Sequence, residues 1–225
     1  MSDDVEKSAI ELALEEIEAP EFAITKQLLS VHHLVSEDSV PVVAGVLPSG
    51  TGFDVYFKIK DERYFFVILI LERSDGLYVN GSRMEASTDI SLFITSELLT
   101  AEEITESIGL VPTQAWSKDD RHASSKVSQR VHKFTGWILS PDGHAPGEIG
   151  DKLERLLNLT EPFAPQIRSL ETTCSIEISI AYAGYKDQMW GIPFTNRELQ
   201  RMAALGAHVD IDLYAYGPDL PDEDE

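Results

Sequence analysis

The stretch Ser91–Trp116, "SLFITSELLTAEEITESIGLVPTQAW", decides what kind of fold this chain builds. It opens as part of a strand, "TDISLFITS", and turns at once into a helix with a written start and stop. Thr100 stands at the N-cap and Glu103 three residues on, the spacing at which each side chain satisfies the other's backbone N–H. Leu99 and Ile104 bracket that cap as a hydrophobic staple. Gly109 ends the helix, because glycine tolerates the left-handed turn a helix C-terminus needs, and Pro112 prevents its resumption.

The same grammar returns near the C-terminus. "FTNRELQRMAALGA" carries Thr195 and Glu198 as a second capping box, Phe194 and Leu199 as its staple, and Gly206 as its stop. "HVDIDLYAY" follows as the last strand, and "CSIEISIAYA" before it alternates, with Ile176, Ile178, Ile180 and Tyr182 inward. Between the two boxes, "TGWILS" reads as a strand, residues 147–158 and 161–170 as helices, and "MWGIPF" as a short strand. Strand and helix together give an α+β sandwich, an antiparallel or mixed sheet with helices on one face.

Working toward the N-terminus, residues 4–18 place Ile10, Ala13, Leu14 and Ile17 at helical spacing until Pro20. A second helix is expected over about 21–35. "FDVYFKIK", "YFFVILILE" and "LYVNGSRME" then read as three strands of an antiparallel meander, with turns at "LPSGTG" and Asp75-Gly76. The expected organisation is an N-terminal α+β domain over 1–86, an α+β domain over 87–217 and a disordered acidic tail over 218–225.

Composition bounds the function. The 225 residues carry a formal net charge of -21, which argues against nucleic acid and against anionic membrane surfaces, since both need a basic footprint. The longest apolar run, Tyr64–Leu71, is too short to span a bilayer, and residues 1–21 lack the basic and apolar regions of a signal peptide. A single cysteine, Cys174, excludes a disulfide framework within one chain. These features point to a cytoplasmic protein without a cofactor, and an acidic surface associates fastest with a basic partner.

The motifs quoted above also carry a resemblance. "SLFITSELLTAEEITESIGLVPTQAW", "TGWILS" and "NRELQRMAALGAHVDIDLYAY" resemble, in that order, the strands and helices of domain-of-unknown-function family 4279, over about Thr88–Tyr216. Residues 1–86 lie outside the likeness. The resemblance implies a bacterial protein and brings no catalytic residues with it. Some members of that family lie near secreted toxin genes, which implies an immunity protein that binds and neutralises a cognate toxin.

Two sets of residues are candidates for a site. Trp116, Lys118, Arg121, His122, Arg130, Tyr185 and Trp190 are expected to contact a protein partner, a basic toxin in the leading reading. Most of them belong to a segment, Trp116 to Trp137, with five cations against two acids in an otherwise acidic chain. Aromatic anchors of this kind supply much of the affinity of an interface. The second set, His208, Asp210 and Asp212, points to one face of the last strand, where it would bind a hard cation in a metal-assisted hydrolase. A third reading places a small-ligand sensor at the junction of the two parts, since pockets favour domain interfaces. Oligomeric state does not follow from the sequence.

Overall fold

A computed structural model describes residues 3–121, 131–189 and 191–221. Helices α1 (Asp3–Glu18) and α2 (Ala23–Val31) come first, then a two-stranded ribbon of β1 (Ser36–Glu37) and β2 (Val40–Pro41). Strands β3 (Val43–Ser49), β4 (Gly52–Lys58), β5 (Phe65–Arg73) and β6 (Gly76–Glu85) form an antiparallel meander in sequence order. The remaining chain is β7 (Ser87–Ser96), α3 (Ala101–Ile108), β8 (Gln114–Trp116), β9 (Thr135–Leu139), α4 (Ile149–Thr160), α5 (Ala164–Ser169), β10 (Ser175–Tyr185), α6 (Asn196–Ala204) and β11 (His208–Tyr216). Its sheet has the order β11-β10-β7-β9-β8. Among the described residues only the β10–β11 pair is parallel, and α6 supplies the crossover that a parallel pair requires. The protein is α+β.

Each sheet has its own core. Val55, Phe57, Phe66, Ile68 and Met84 of the first sheet pack with Ala9 and Ala13 of α1 and Leu28 of α2. In the second sheet Ile90, Leu92, Ile94, Trp137, Ile176, Ile178 and Ile180 meet α3 through Ile104 and Ile108, and α4 through Leu153, Leu156 and Leu157. Trp137 is fully buried and donates its indole N–H to Thr105 Oγ1 at 3.1 Å, so it is a core residue. Both capping boxes form as the sequence dictates, and Gly109 adopts φ 83°, the left-handed stop.

The two sheets are joined through Ala86, the one residue between β6 and β7. In an unbroken strand, Arg83 and Glu85 would face away from Thr88 and Ile90. The break at Ala86 resets the alternation. Arg83 bonds to Glu148 at the start of α4, and Ile90 packs among the leucines of that same helix. Both sets of side chains therefore look toward α4.

Several expectations are corrected. The second helix ends at Val31 rather than near 35, because His32 turns extended (φ -116°, ψ 134°) and buries its ring. His32 Nδ1 donates to Leu28 O at 2.9 Å, leaving Nε2 to accept from the Tyr64 hydroxyl at 3.1 Å. Strand β3 and the three-residue β8 are additions. "VAGVLPS" contains a glycine and a proline, and β8 is too short to show a period. The described residues of "MWGIPF" form no strand, and Pro193 has no N–H to give a ladder. Residues 218–221 are held rather than disordered. Pro218 O accepts the Tyr185 hydroxyl at 2.8 Å, Pro221 O accepts from Gln27 Nε2 at 3.0 Å, and Asp219 pairs with Lys186. Residues 222–225 of the expected tail lie outside the described residues.

Candidate functional site

Helices α3 to α6 cover one face of the second sheet, and no described helix packs on the other. That other face carries Ser91, Phe93 and Thr95 on β7, Gly136 and Ile138 on β9, and Glu177 and Ser179 on β10, none of which joins a core cluster, and the Trp116 ring lies over Gly136 and beside Phe93. In register beside β10 stand His208, Asp210 and Asp212 of β11, opposite Glu177, Ser179 and Ala181. All three β11 side chains are exposed, and His208 Nε2 lies 3.0 Å from Glu177 Oε2. Strand β11 is the edge of the sheet, so one row of its backbone N–H and C=O groups has no ladder partner among the described residues. Val209 and Leu213 on its other side are 37% and 59% exposed.

At the opposite edge, β8 and β9 carry the basic segment. The chain beyond Trp116 and the chain before Thr135 pair with each other: Asp119 N donates to His132 O at 2.9 Å, His132 N to Asp120 O at 2.9 Å, and Arg121 bridges to Val131. Lys118, Arg121 and Lys133 are exposed and form no ion pair with the described residues. One sheet thus presents carboxylates along β11 and cations beyond β8.

The predicted residues are distributed unevenly over this arrangement. Trp116, Lys118 and Arg121 lie together at the β8 edge. Trp116 is half-buried and fixed: its indole N–H donates to Phe134 O at 3.0 Å and its ring stacks on His132 at 4.9 Å. Tyr185 is not a surface anchor. It is 1% exposed, packed against His32 and Tyr64, and bonded to Pro218 O, so its role is to lock the C-terminal segment onto the first sheet. His122, Arg130 and Trp190 lie outside the described residues. His208, Asp210 and Asp212 share a face as expected, but they spread along an exposed edge. Among the described residues no group of three or more His, Cys, Asp or Glu is placed to hold a metal ion. Among the described residues, His208, Asp210 and Asp212 therefore form no enclosed ligand set.

A second constellation, at the joint of the two sheets, is absent from the sequence reading. Arg83 of β6 contacts three carboxylates: Asp54 of β4 at 3.0 Å, Glu85 at 3.0 Å and Glu148 at 2.7 Å. Burial pushes Glu85 up to about 7, with the Glu148 carboxylate adding to the effect and Arg83 opposing it. Burial also raises Asp54, again against the pull of Arg83. A cavity of 490 Å³ adjoins this cluster, lined by Arg83, Glu85, Thr88, Glu148, Tyr182 and Pro193 among others. Beneath it Lys152 is 1% exposed and donates to Thr88 O and Ala145 O, each at 2.6 Å. Burial brings that amine down to about 8, with Asp142 and Asp89 favouring its charge. The available sequence signal is Arg83 and Glu85 two apart in a strand, hence on one side of it. Asp54 and Glu148 come from segments 29 and 65 residues away from Arg83, and no local pattern announces them.

An α+β chain with one half-covered mixed sheet and, among its described residues, neither a helix long and apolar enough to cross a membrane nor a metal cluster is the class these observations define. The family described as a domain of unknown function, DUF4279, matches residues 85–216. That span is more than half of the chain and runs from the joint to the end of β11, and the protein belongs to this family. No curated protein and no solved structure matches the chain.

Proposed function

We propose that the chain is a non-catalytic bacterial binding protein that works as an immunity factor, capturing a basic toxin on the second sheet. The observation that carries this reading is the β11 edge. A nine-residue edge strand with free backbone groups invites an added strand from a partner. Its side chains select which one. An antiparallel second copy centred on Ile211 would set Asp210 against Asp212, which like-charge repulsion disfavours. An extended segment with Lys or Arg at alternate positions meets Asp210 and Asp212 favourably and leaves apolar side chains for Val209 and Leu213. The net charge of -21 speeds that encounter, and the exposed cations beyond β8 fix its orientation.

The test is co-purification of the tagged chain with the product of the adjacent gene, followed by growth rescue when both are expressed. Asp210→Lys combined with Asp212→Lys is expected to weaken capture by at least tenfold and to abolish rescue while the fold is retained, because both side chains are exposed. If the neighbouring product neither binds nor harms cells, the immunity reading fails. Binding unchanged by the double variant would remove β11 as the site.

A further inference from the structure

We propose that the cavity at the Ala86 joint is a binding site for a small organic cation carrying a primary ammonium group. The proposal concerns a different part of the chain from the β11 edge and stands without the immunity reading. Its first support is charge. Around the cavity and the Arg83 fork lie Asp54, Glu85, Glu148 and Asp151, four carboxylates against one guanidinium. The other cation nearby, Lys152, is committed to two carbonyls. An added positive charge is the complement this arrangement lacks.

The second support is independent of charge. Thr88 lines the cavity, is 2% exposed, and its Oγ1 has no hydrogen-bond partner among the described residues. A buried hydroxyl left unpaired costs on the order of 1–3 kcal/mol, so such a group calls for a partner, and its lone pairs accept from a donor. An ammonium brings three donors, enough to serve a hydroxyl and two carboxylates. The apolar walls, Ile149, Pro193 and the ring of Tyr182, suit a short alkyl stem, and an aromatic face favours a cation. The volume lies in the range of small-ligand sites. A bare metal ion fits less well, for want of a three-ligand group among the described residues.

Binding is coupled to protonation. Glu85 faces Arg83 on its own strand, Asp54 and Tyr56 from β4, and Glu148 and Lys152 from the start of α4. Its carboxyl sits near neutrality, so an incoming ammonium displaces the proton and takes its place beside the carboxylate. Calorimetric titration of the full chain with 1,5-diaminopentane and with butylamine, at pH about 8 and about 5.5, tests this. Glutarate serves as the anionic control. The expected result is saturable amine binding, tighter at the higher pH, with proton release seen as a dependence of the heat on buffer at the lower pH, where Glu85 starts protonated. Affinity should fall by up to about 30-fold at the lower pH, because Glu85 must then be deprotonated first.

Glu85→Gln should weaken binding by about tenfold and flatten its pH dependence. Thr88→Val should raise the melting temperature while weakening the amine about fivefold, a trade that a merely structural hydroxyl would not produce. Glu148 is exposed, so Glu148→Gln keeps the fold and should weaken binding about threefold. Absence of binding at millimolar amine, equal binding of glutarate, or wild-type affinity in Glu85→Gln overturns the proposal. The last outcome would assign the heat to diffuse attraction by an acidic surface.

Discussion

Replacing Glu85 by Gln isolates the electrostatics of the joint without any ligand. Glu85 is 8% exposed, and its carboxyl is raised from 4.5 to about 7 by burial and by Glu148, against Arg83. A group whose folded-state affinity for a proton exceeds its unfolded one stabilises the fold fully below 4.5. It loses that contribution as pH climbs through about 7. Each tenfold change in proton affinity is worth about 1.4 kcal/mol, so the rise from pH about 5 to about 8 removes roughly 2.5 kcal/mol of stability. Gln is neutral at both values and keeps a carbonyl for Arg83 Nε, which Glu85 accepts at 3.1 Å. The variant should match wild type near pH 5 and exceed it by roughly 2.5 kcal/mol near pH 8. Urea denaturation of both proteins across that range reads the difference directly, and contributions from other titrating groups cancel in the subtraction. Parallel stability profiles would show that Glu85 titrates normally and would refute the account of the joint.

Four further outcomes are expected. His32 is held below its ordinary 6.5, chiefly by burial, so its contribution to stability is present above 6.5 and is lost as pH falls through and below that value; an NMR titration of the ring should give a midpoint below 6.5. Thr100→Ala removes the cap that accepts Glu103 N at 3.2 Å and should lower stability by about 1 kcal/mol in urea melts. Gly136→Ala places a Cβ 2.2 Å from the Trp116 ring, which is pinned by Phe134 O and His132, and should cost about 1–3 kcal/mol with a change in tryptophan fluorescence. Trp137→Ala empties a fully buried site and should cost about 3–5 kcal/mol by thermal or chemical melting.

Local chemistry fixes much of this protein before tertiary structure intervenes. The two Thr-x-x-Glu boxes, the Gly109 stop and the alternation through Ile176, Ile178 and Ile180 are legible because each rests on contacts a few residues apart. The open face could be read as a row, His208, Asp210, Asp212, since side chains two apart in a strand share a side. Whether that row sits at an edge, in the open, depends on which strands pair, and pairing is set by contacts distant in sequence. Tyr185 shows the limit from the other direction. Its aromatic ring suggested a surface anchor, but His32, Tyr64 and Pro218 close over it from three separate segments. The joint is the clearest case. The sequence by itself determined an acidic α+β chain with its helix starts and stops and its strand faces, since those follow from propensity, capping and period. Only the tertiary structure decided that Ala86 resets the strand alternation and gathers Asp54, Arg83, Glu85, Thr88 and Glu148 around one cavity. The physical reason is that burial and the summed field of charges from separate segments exist only once the chain has folded.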